Sequence, residues 1–153
     1  MKATAVIFDM DGTLADVSGL RHHLKRRHGR TGRIIKDFDA FHAESVNAPA
    51  HAWVVDLARD ARARGHAVLI VTARRHAWRH HTAWWLALHG VPSDALFMRG
   101  NDDARPDFEV KADMLATITR AWDVVHAVDD NPAVIRLWEE HGIATTVVPG
   151  WES

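Results

Sequence analysis

The chain has 153 residues, with 19 basic and 20 acidic side chains and a formal net charge of −1. This length suits one domain with a sizeable core, and the balanced charge excludes a global electrostatic attraction to nucleic acid or membrane. The absence of cysteine excludes disulfides, cysteine nucleophiles and thiolate metal sites. The short apolar run near the start is cut by Asp9 and is too short for a signal peptide or a bilayer span, so we expect a cytoplasmic protein with no membrane partner.

The first predicted element is a buried strand, about Ala3 to Asp9, that ends in two carboxylates. Apolar residues run up to Phe8, and Asp9, Asp11 and Gly12 follow. Glycine lets the chain leave the strand here, which places both acids at the carboxyl end of a strand, where open α/β sheets hold their active sites. One of the two carboxylates can attack or bind a metal while the other moves protons. The alternative is an ordinary polar turn.

A basic segment follows within the region from Thr13 to Ala48, which has weak periodicity and one short predicted helix at about Leu20 to His28. Its positions 21–36 hold no acidic residue and seven basic ones: Arg21, Lys25, Arg26, Arg27, Arg30, Arg33 and Lys36. We interpret residues 13–48 as a short basic flap or cap insert. Such a cluster can hold a polynucleotide backbone, and the alternative is a flap whose charges are simply solvated.

The rest of the chain alternates helices with apolar runs. Strands are predicted at about 67–72, 96–98, 124–128 and 143–148, and helices at about 49–64, 75–89, 107–121 and 132–141. Unbroken apolar runs are typical of strands whose two faces are both covered by helices. Short connections between alternating elements predict a parallel sheet with right-handed crossovers. We therefore expect one domain over residues 1–153, with a five-stranded, three-layer Rossmann-like α/β fold.

Chemically active residues follow three of the predicted strands: Asp9 and Asp11, then Thr72 and Arg74, then Asp129 and Asp130. The carboxyl ends of parallel strands meet at one edge of a sheet, so these residues should converge. Each feature also has a purely structural alternative. Thr72 can cap a helix, Asp129 and Asp130 can be turn acids at a helix N-terminus, and Lys111 can be a solvated helix charge.

The string Asp9-Met10-Asp11-Gly12-Thr13 resembles the first motif of the haloacid dehalogenase (HAD) superfamily of aspartate-based phosphotransferases. In the same order, Thr72 resembles the second motif, Lys111 the third and Asp129-Asp130 the fourth. The resemblance covers nearly the whole chain. It implies the HAD version of the predicted fold, with a minimal cap and the strand order 5-4-1-2-3.

The resemblance also implies roles for these residues. Asp9 would be the nucleophile that forms an aspartyl-phosphate, and Asp11 would protonate the leaving group and then activate water. Thr72 and Lys111 would hold the phosphoryl oxygens. The expected cofactor is Mg²⁺, whose implied ligands are Asp9, the carbonyl oxygen of Asp11, Asp129 and Asp130. Carboxylate and carbonyl oxygens are the ligands that Mg²⁺ prefers.

A closer resemblance is to the 3'-phosphatase domain of phage-type polynucleotide kinases, carried by Thr72-Ala73-Arg74, by the Arg-x-Asp-x-x-x-Lys string from Arg105 to Lys111 and by Asp129-Asp130. It implies that Arg74 contacts the substrate phosphate and that Asp107 belongs to the active site. Arg21 is a loose counterpart of a further substrate arginine. On one helix face Asp107 can orient Lys111, and the alternative is an ordinary surface ion pair.

Three functions remain open at this stage. The first is a polynucleotide 3'-phosphatase acting on DNA or RNA ends, which a short insert and an open site would admit. The second is a HAD phosphatase for a small phosphate ester, such as a nucleotide or sugar phosphate, and the third is a non-enzymatic HAD-fold binding domain. The sequence holds no G-x-x-x-x-G-K-[ST] kinase loop, and it indicates no protein partner.

Overall fold

A central parallel sheet organises the computed structural model, which describes residues 1–27, 30 and 33–151. In chain order the elements are β1 (Ala3–Phe8), β2 (Arg26–Arg27), β3 (Ile34–Ile35), α1 (Phe38–Ser45), α2 (Ala52–Ala63), β4 (Ala67–Arg75), α3 (Arg79–Leu88), β5 (Ala95–Arg99), α4 (Asp107–Ile118), β6 (Trp122–Asp129), α5 (Pro132–Glu140) and β7 (Ala144–Val147). Two 3₁₀ helices, Ser18–Leu24 and His76–Trp78, precede β2 and α3. None of the helices in these described ranges combines the length and apolar character that a bilayer span requires.

The strand order of the five-stranded sheet is β5-β4-β1-β6-β7, and all four neighbouring pairs are parallel. Counting only these strands along the chain gives 3-2-1-4-5, which is the predicted order read from the opposite edge. The predicted fold class is therefore confirmed. The separate antiparallel pair β2-β3 belongs to the segment between β1 and α2.

Helices cover both faces of the sheet. Since alternate residues of a strand point to opposite faces, each strand contributes side chains to two cores. Phe8 of β1 faces one core, which α2, α3 and the segment between β1 and α2 also build. Its neighbour Ile7 faces the other core, against α4 and α5. Each core contains one fully buried tryptophan, Trp85 on α3 and Trp138 on α5. Trp85 Nε1 donates a hydrogen bond of 2.9 Å to the carbonyl oxygen of Ala48, which ties the end of the insert to the fold.

Some local predictions need correction. The predicted strand 67–72 continues to Arg75, because Arg75 pairs in register with Arg99 of β5. The helix expected from Arg75 onward begins as the 3₁₀ helix and becomes α-helical only at Arg79. The short helix expected at 20–28 is instead the 3₁₀ helix Ser18–Leu24 followed by β2, and its last predicted residue, His28, lies outside the described residues.

The insert also contains an α-helix that the sequence analysis missed. Asp37 caps α1, since its Oδ1 accepts a hydrogen bond of 3.0 Å from the backbone N–H of Ala40. Phe41 then packs into the core on the α2 and α3 side of the sheet. This anchoring holds the insert beside the carboxyl edge of the sheet.

Candidate active site

The carboxyl ends of β1, β4 and β6 open into one cavity of about 1010 Å³. Every residue that the sequence analysis proposed for the site contributes to its lining: Asp9, Asp11, Arg21, Thr72, Arg74, Asp107, Lys111, Asp129 and Asp130. The fold thus brings all of the predicted site residues into a single cavity. One contact differs from the expectation, that of Asp107, which is described below.

Asp9 lies directly after β1 and is only 6% exposed. Its backbone N–H donates 3.0 Å to the carbonyl oxygen of Val128, which fixes this end of β1 against β6. The two carboxylate oxygens have separate donors, Lys111 Nζ at 2.9 Å to Oδ1 and Thr13 Oγ1 at 2.9 Å to Oδ2. Burial, together with the charge of Asp129, raises the pKa of Asp9 well above its usual range.

Lys111, on the second turn of α4, is 2% exposed and binds two carboxylates at once. Its Nζ donates to Asp9 Oδ1 at 2.9 Å and to Asp129 Oδ2 at 2.8 Å. Burial alone would favour the neutral amine, but the charges of Asp129 and Asp9 outweigh it and raise the pKa of Lys111. The site therefore contains a fixed ammonium group beside the proposed nucleophile.

Asp129 and Asp130 stand where β6 passes into α5. Asp129 is fully buried, and its Oδ1 accepts hydrogen bonds from the backbone N–H groups of Asp130, at 2.8 Å, and Asn131, at 3.0 Å. Asn131 caps α5 through a 3.0 Å bond from the N–H of Ala133. Burial and the charge of Asp129 raise the pKa of Asp130 to about 6.

The residues present fit a magnesium site. Carboxylate oxygens of Asp9, Asp129 and Asp130 all lie within 4.8 Å of one another, and the three side chains are buried. Three carboxylates against the one ammonium of Lys111 leave excess negative charge, and hard oxygen ligands suit Mg²⁺. Gly12 permits this close packing, because its φ is +80° and a Cβ there would lie 2.1 Å from Asp130 Oδ2.

The side chain of Asp11 makes a two-bond ion pair with Arg74. Arg74 Nε donates to Oδ2 at 2.9 Å and Nη2 donates to Oδ1 at 2.5 Å. Arg74 is 2% exposed, and its third nitrogen, Nη1, donates 3.1 Å to Thr82 Oγ1 on α3. Although burial opposes ionisation of Asp11, Arg74 outweighs it and lowers the pKa of this carboxyl. The planar guanidinium thus fixes Asp11 as a carboxylate.

Thr72 and Arg21 differ in exposure, since Thr72 is buried and Arg21 is partly exposed. Thr72 is 1% exposed, and its Oγ1 accepts a 3.2 Å hydrogen bond from the backbone N–H of Arg74. Arg21 belongs to the insert and donates from Nη2 to the carbonyl oxygen of Gly150 at 2.7 Å. The insert is thereby linked to the segment that follows β7.

The expectation that Asp107 orients Lys111 is wrong. Asp107 Oδ1 instead accepts a 2.6 Å bond from Nη2 of Arg99, the last residue of β5. Arg99 is 7% exposed and was not proposed from the sequence. Its other nitrogens bind three backbone carbonyl oxygens, those of Ala73, Asp103 and Arg105. The available signal was its place at the end of a strand, on the same edge as the acids.

The basic residues of the insert divide into groups. Arg21, Lys25 and Lys36 line the cavity. Arg30 and Arg33 are exposed and lie outside its lining, whereas the side chains of Arg26 and Arg27 fall outside the described part of the chain. Aromatic side chains, which the basic run lacks, enter the same cavity from α1, from the 3₁₀ helix before α3 and from the segment after β7: Phe38, Phe41, Trp78 and Trp151.

Comparison with known families shows which family the chain belongs to. The family model for the polynucleotide kinase PNKP phosphatase domain matches residues 3–150. The chain belongs to the PNKP phosphatase-domain family. Family membership confirms the HAD resemblance and identifies the chain as a phosphatase, a phosphoric monoester hydrolase, rather than a non-enzymatic binding domain.

Solved structures agree with this assignment. A chain in a structure of the Pnkp1/Rnl/Hen1 complex is 25% identical, with a TM-score of 0.78 over 96% of this chain and 46% of that one. A structure of the Pnkp1/Rnl/Hen1 RNA repair complex gives 25% identity and a TM-score of 0.76 over 96% and 42%. The class C acid phosphatase from Bacillus anthracis, at 14% identity, shares the fold, with a TM-score of 0.72 over 99% of this chain and 69% of that one. The present chain thus spans less than half the length of the Pnkp1/Rnl/Hen1 chains that it matches.

Proposed function

We propose that this domain is a Mg²⁺-dependent phosphomonoesterase that removes the 3'-phosphate from polynucleotide ends through an aspartyl-phosphate on Asp9. The observation that carries the proposal is the position of Asp9 in the wall of the cavity, with each carboxylate oxygen held by one donor, Lys111 or Thr13. A carboxylate oriented in this way is suited to attack a phosphorus atom in line with its leaving group. Lys111 also supplies the positive charge that such an attack by an anion on an anion needs.

In the first step, an oxygen of Asp9 forms a bond to phosphorus and the bond from phosphorus to the 3'-oxygen breaks. Thr72 and Lys111 hold the phosphoryl oxygens. Asp11 delivers a proton to the departing 3'-oxygen, which leaves as a hydroxyl group. In the second step, Asp11 takes a proton from water and the water oxygen bonds to phosphorus. The bond from phosphorus to the Asp9 oxygen breaks, which releases inorganic phosphate and regenerates the Asp9 carboxylate.

Arg74 connects substrate binding with the role of Asp11. Both oxygens of Asp11 are bound by Arg74 in the structure, and a phosphate dianion is a strong competitor for a guanidinium group. When Arg74 turns to the substrate phosphate, Asp11 loses the partner that keeps it ionised, takes up a proton from solvent and can then deliver that proton to the leaving group. Thr82 keeps the guanidinium near both partners through its 3.1 Å contact with Nη1.

The metal site supports the same chemistry. Asp9, Asp129 and Asp130, with the carbonyl oxygen of Asp11, would hold Mg²⁺, which when bound neutralises charge between the attacking carboxylate and the phosphate. These side chains form the buried carboxylate cluster described above. Lys111 balances part of their charge and keeps Asp9 in position.

Two observations support a polynucleotide substrate. The chain belongs to the PNKP phosphatase-domain family and is similar to a chain of an RNA repair complex. In addition, the cavity lining includes three cationic side chains of the insert, Arg21, Lys25 and Lys36, which suits a substrate with backbone phosphates beyond the one that is removed.

The test is phosphate release from a 3'-phosphorylated oligonucleotide, compared with a panel of nucleotides and sugar phosphates, with Mg²⁺ and with EDTA. We expect the oligonucleotide to have the highest kcat/KM and EDTA to abolish turnover. Full activity in EDTA would contradict the metal-assisted mechanism. A small phosphate ester that is hydrolysed much faster than the oligonucleotide would instead assign the domain to small-molecule substrates.

A further inference from the structure

Aromatic rings form part of the lining of the catalytic cavity, and we call four of them the aromatic wall: Phe38 and His42 of α1, Trp78 of the 3₁₀ helix before α3, and Trp151. The ring centroids of Phe38 and His42 are 6.4 Å apart with planes inclined by 23°, and those of His42 and Trp78 are 5.7 Å apart. Through these ring contacts, α1 of the insert packs beside the segment that follows β4. The wall lies in the same cavity as Asp9 and Asp11.

The wall presents ring surface to solvent. Phe38 is 47% exposed and Trp151 is 44% exposed, and rings of this size gain stability when a flat apolar partner covers them. His42 is buried between its neighbours and keeps the wall uncharged at neutral pH, since burial lowers its pKa to about 4. Its Nδ1 is buried and has no hydrogen-bond partner among the described residues. The wall therefore also offers one polar atom that a bound ligand could hydrogen-bond.

Hydrogen bonds fix the wall relative to Asp11. Thr82 Oγ1 donates 2.8 Å to the carbonyl oxygen of Trp78 and accepts 3.1 Å from Nη1 of Arg74. Arg74 in turn holds Asp11. Asp11 is the residue that we assign to the leaving group, so whatever is attached to the departing oxygen must lie on this side of the cavity.

For a 3'-phosphate the departing oxygen belongs to the terminal nucleoside. We propose that the aromatic wall is a nucleobase-binding subsite that stacks the base of the 3'-terminal nucleotide. This inference rests on the proposed function and deepens it. Stacking on aromatic side chains accepts any base, because every base has a π-face, so the subsite would select for the presence of a base rather than for sequence.

The test compares two 3'-phosphorylated oligonucleotides of equal length and charge, one intact and one with an abasic 3'-terminal nucleotide. For the unmodified protein we expect kcat/KM to be about tenfold higher for the intact oligonucleotide. In Phe38→Ala, Trp78→Ala and Trp151→Ala this ratio should fall toward one. Because the ratio is taken within each variant, partial loss of folded protein cancels.

Trp53→Ala is the matched control, since Trp53 on α2 is 46% exposed but does not line the cavity. It should keep the full ratio. Equal kcat/KM for the intact and abasic oligonucleotides in the unmodified protein would overturn the base subsite alone. An equal loss of the ratio in Trp53→Ala would also overturn it. If neither oligonucleotide is hydrolysed while a sugar phosphate is, the proposed function and the subsite both fail.

Discussion

The carboxyl edge of the sheet and the insert beside it both carry many charges, but they hold them differently. At the edge, Asp9, Lys111 and Asp129 are 6%, 2% and 0% exposed, and Lys111 forms an ion pair with each of the two carboxylates. In the insert, Lys25 and Lys36 line the cavity mouth as exposed side chains. Buried charges persist only when their partners are in place, whereas exposed charges interact weakly and are screened by salt.

This difference separates two tasks. At the edge, Asp9, Lys111 and Asp129 form a mutually dependent network that suits bond making and breaking, because moving one of the three leaves a buried charge unpaired. The insert can change its charges at little cost to folding, so it suits the selection of substrate. Substitutions at the edge should therefore act on kcat and stability, and those at the insert should act on KM and salt dependence.

The largest effect is expected for Asp9→Asn. An amide cannot form the aspartyl-phosphate, so phosphate release should fall by at least about 10⁴-fold. The fold should survive, because Lys111 keeps its 2.8 Å bond to Asp129 and one of three clustered carboxylates is removed. Phosphate release and thermal unfolding of the same preparation would check both statements. A folded variant that keeps most of its activity would exclude Asp9 as the nucleophile.

Lys111→Met tests the dependence within the edge network. Removing the ammonium leaves Asp9 and Asp129 without their shared cation, and breaking a buried ion pair in this way costs about 3–5 kcal/mol. Urea denaturation in the presence of EDTA would measure the loss of unfolding free energy. The matched control is Lys2→Met, since Lys2 is an exposed lysine whose Nζ donates a hydrogen bond to the backbone carbonyl oxygen of Thr119. An equal, small loss in the two variants would show that the buried network contributes little to stability.

Many residues at the carboxyl edge of the sheet could be predicted, because buried strands have a recognisable sequence pattern. A strand covered on both faces reads as an unbroken apolar run, and the polar residue that ends each run marks the same sheet edge. This logic predicted that Asp9, Thr72 and Asp129 would meet in one cavity, as the structure shows. The strand order and the motif roles came from the family resemblance.

The parts that sequence reasoning missed depend on long-range contacts. The i,i+4 spacing on the helix predicts a pair between Asp107 and Lys111. In the structure, Arg99 Nη2 from β5 instead donates a hydrogen bond of 2.6 Å to Asp107 Oδ1. Arginine is mostly exposed in proteins, so nothing local marks Arg99 as buried. Helix α1 was missed for a similar reason, because its buried residues, among them Phe41 and His42, are interleaved with polar ones.

Asp11→Asn tests whether Asp11 protonates the leaving group. The variant cannot donate a proton to the departing oxygen, so hydrolysis of an alkyl phosphate such as a 3'-phosphorylated oligonucleotide should fall about 10²-fold. An aryl phosphate needs less help, because its leaving group departs without a proton, and it should lose much less activity. The ratio of kcat/KM for the two substrates measures the difference. Equal losses would remove Asp11 from the role of general acid.

The smallest effect, and the sharpest test of the insert, concerns Lys25 and Lys36. Both line the cavity mouth, so a polynucleotide bound in the cavity should release counterions on contact with them. Each contact with a single strand contributes about 0.7 to the slope of log binding against log salt. The double variant Lys25→Gln and Lys36→Gln should therefore raise KM for the 3'-phosphorylated oligonucleotide a few-fold and flatten its salt dependence by about 1.4 in that slope.

The matched control for this variant removes two charges from the same insert, Arg30→Gln with Arg33→Gln. These residues are exposed and lie outside the cavity lining, so the net charge changes equally while the mouth stays intact. We expect KM and its salt slope to remain close to those of the unmodified protein. If both double variants flatten the slope alike, the insert acts through its overall field rather than through contacts at the mouth. If neither does, these charges do not contact the substrate, and a small phosphate ester becomes the better-supported substrate.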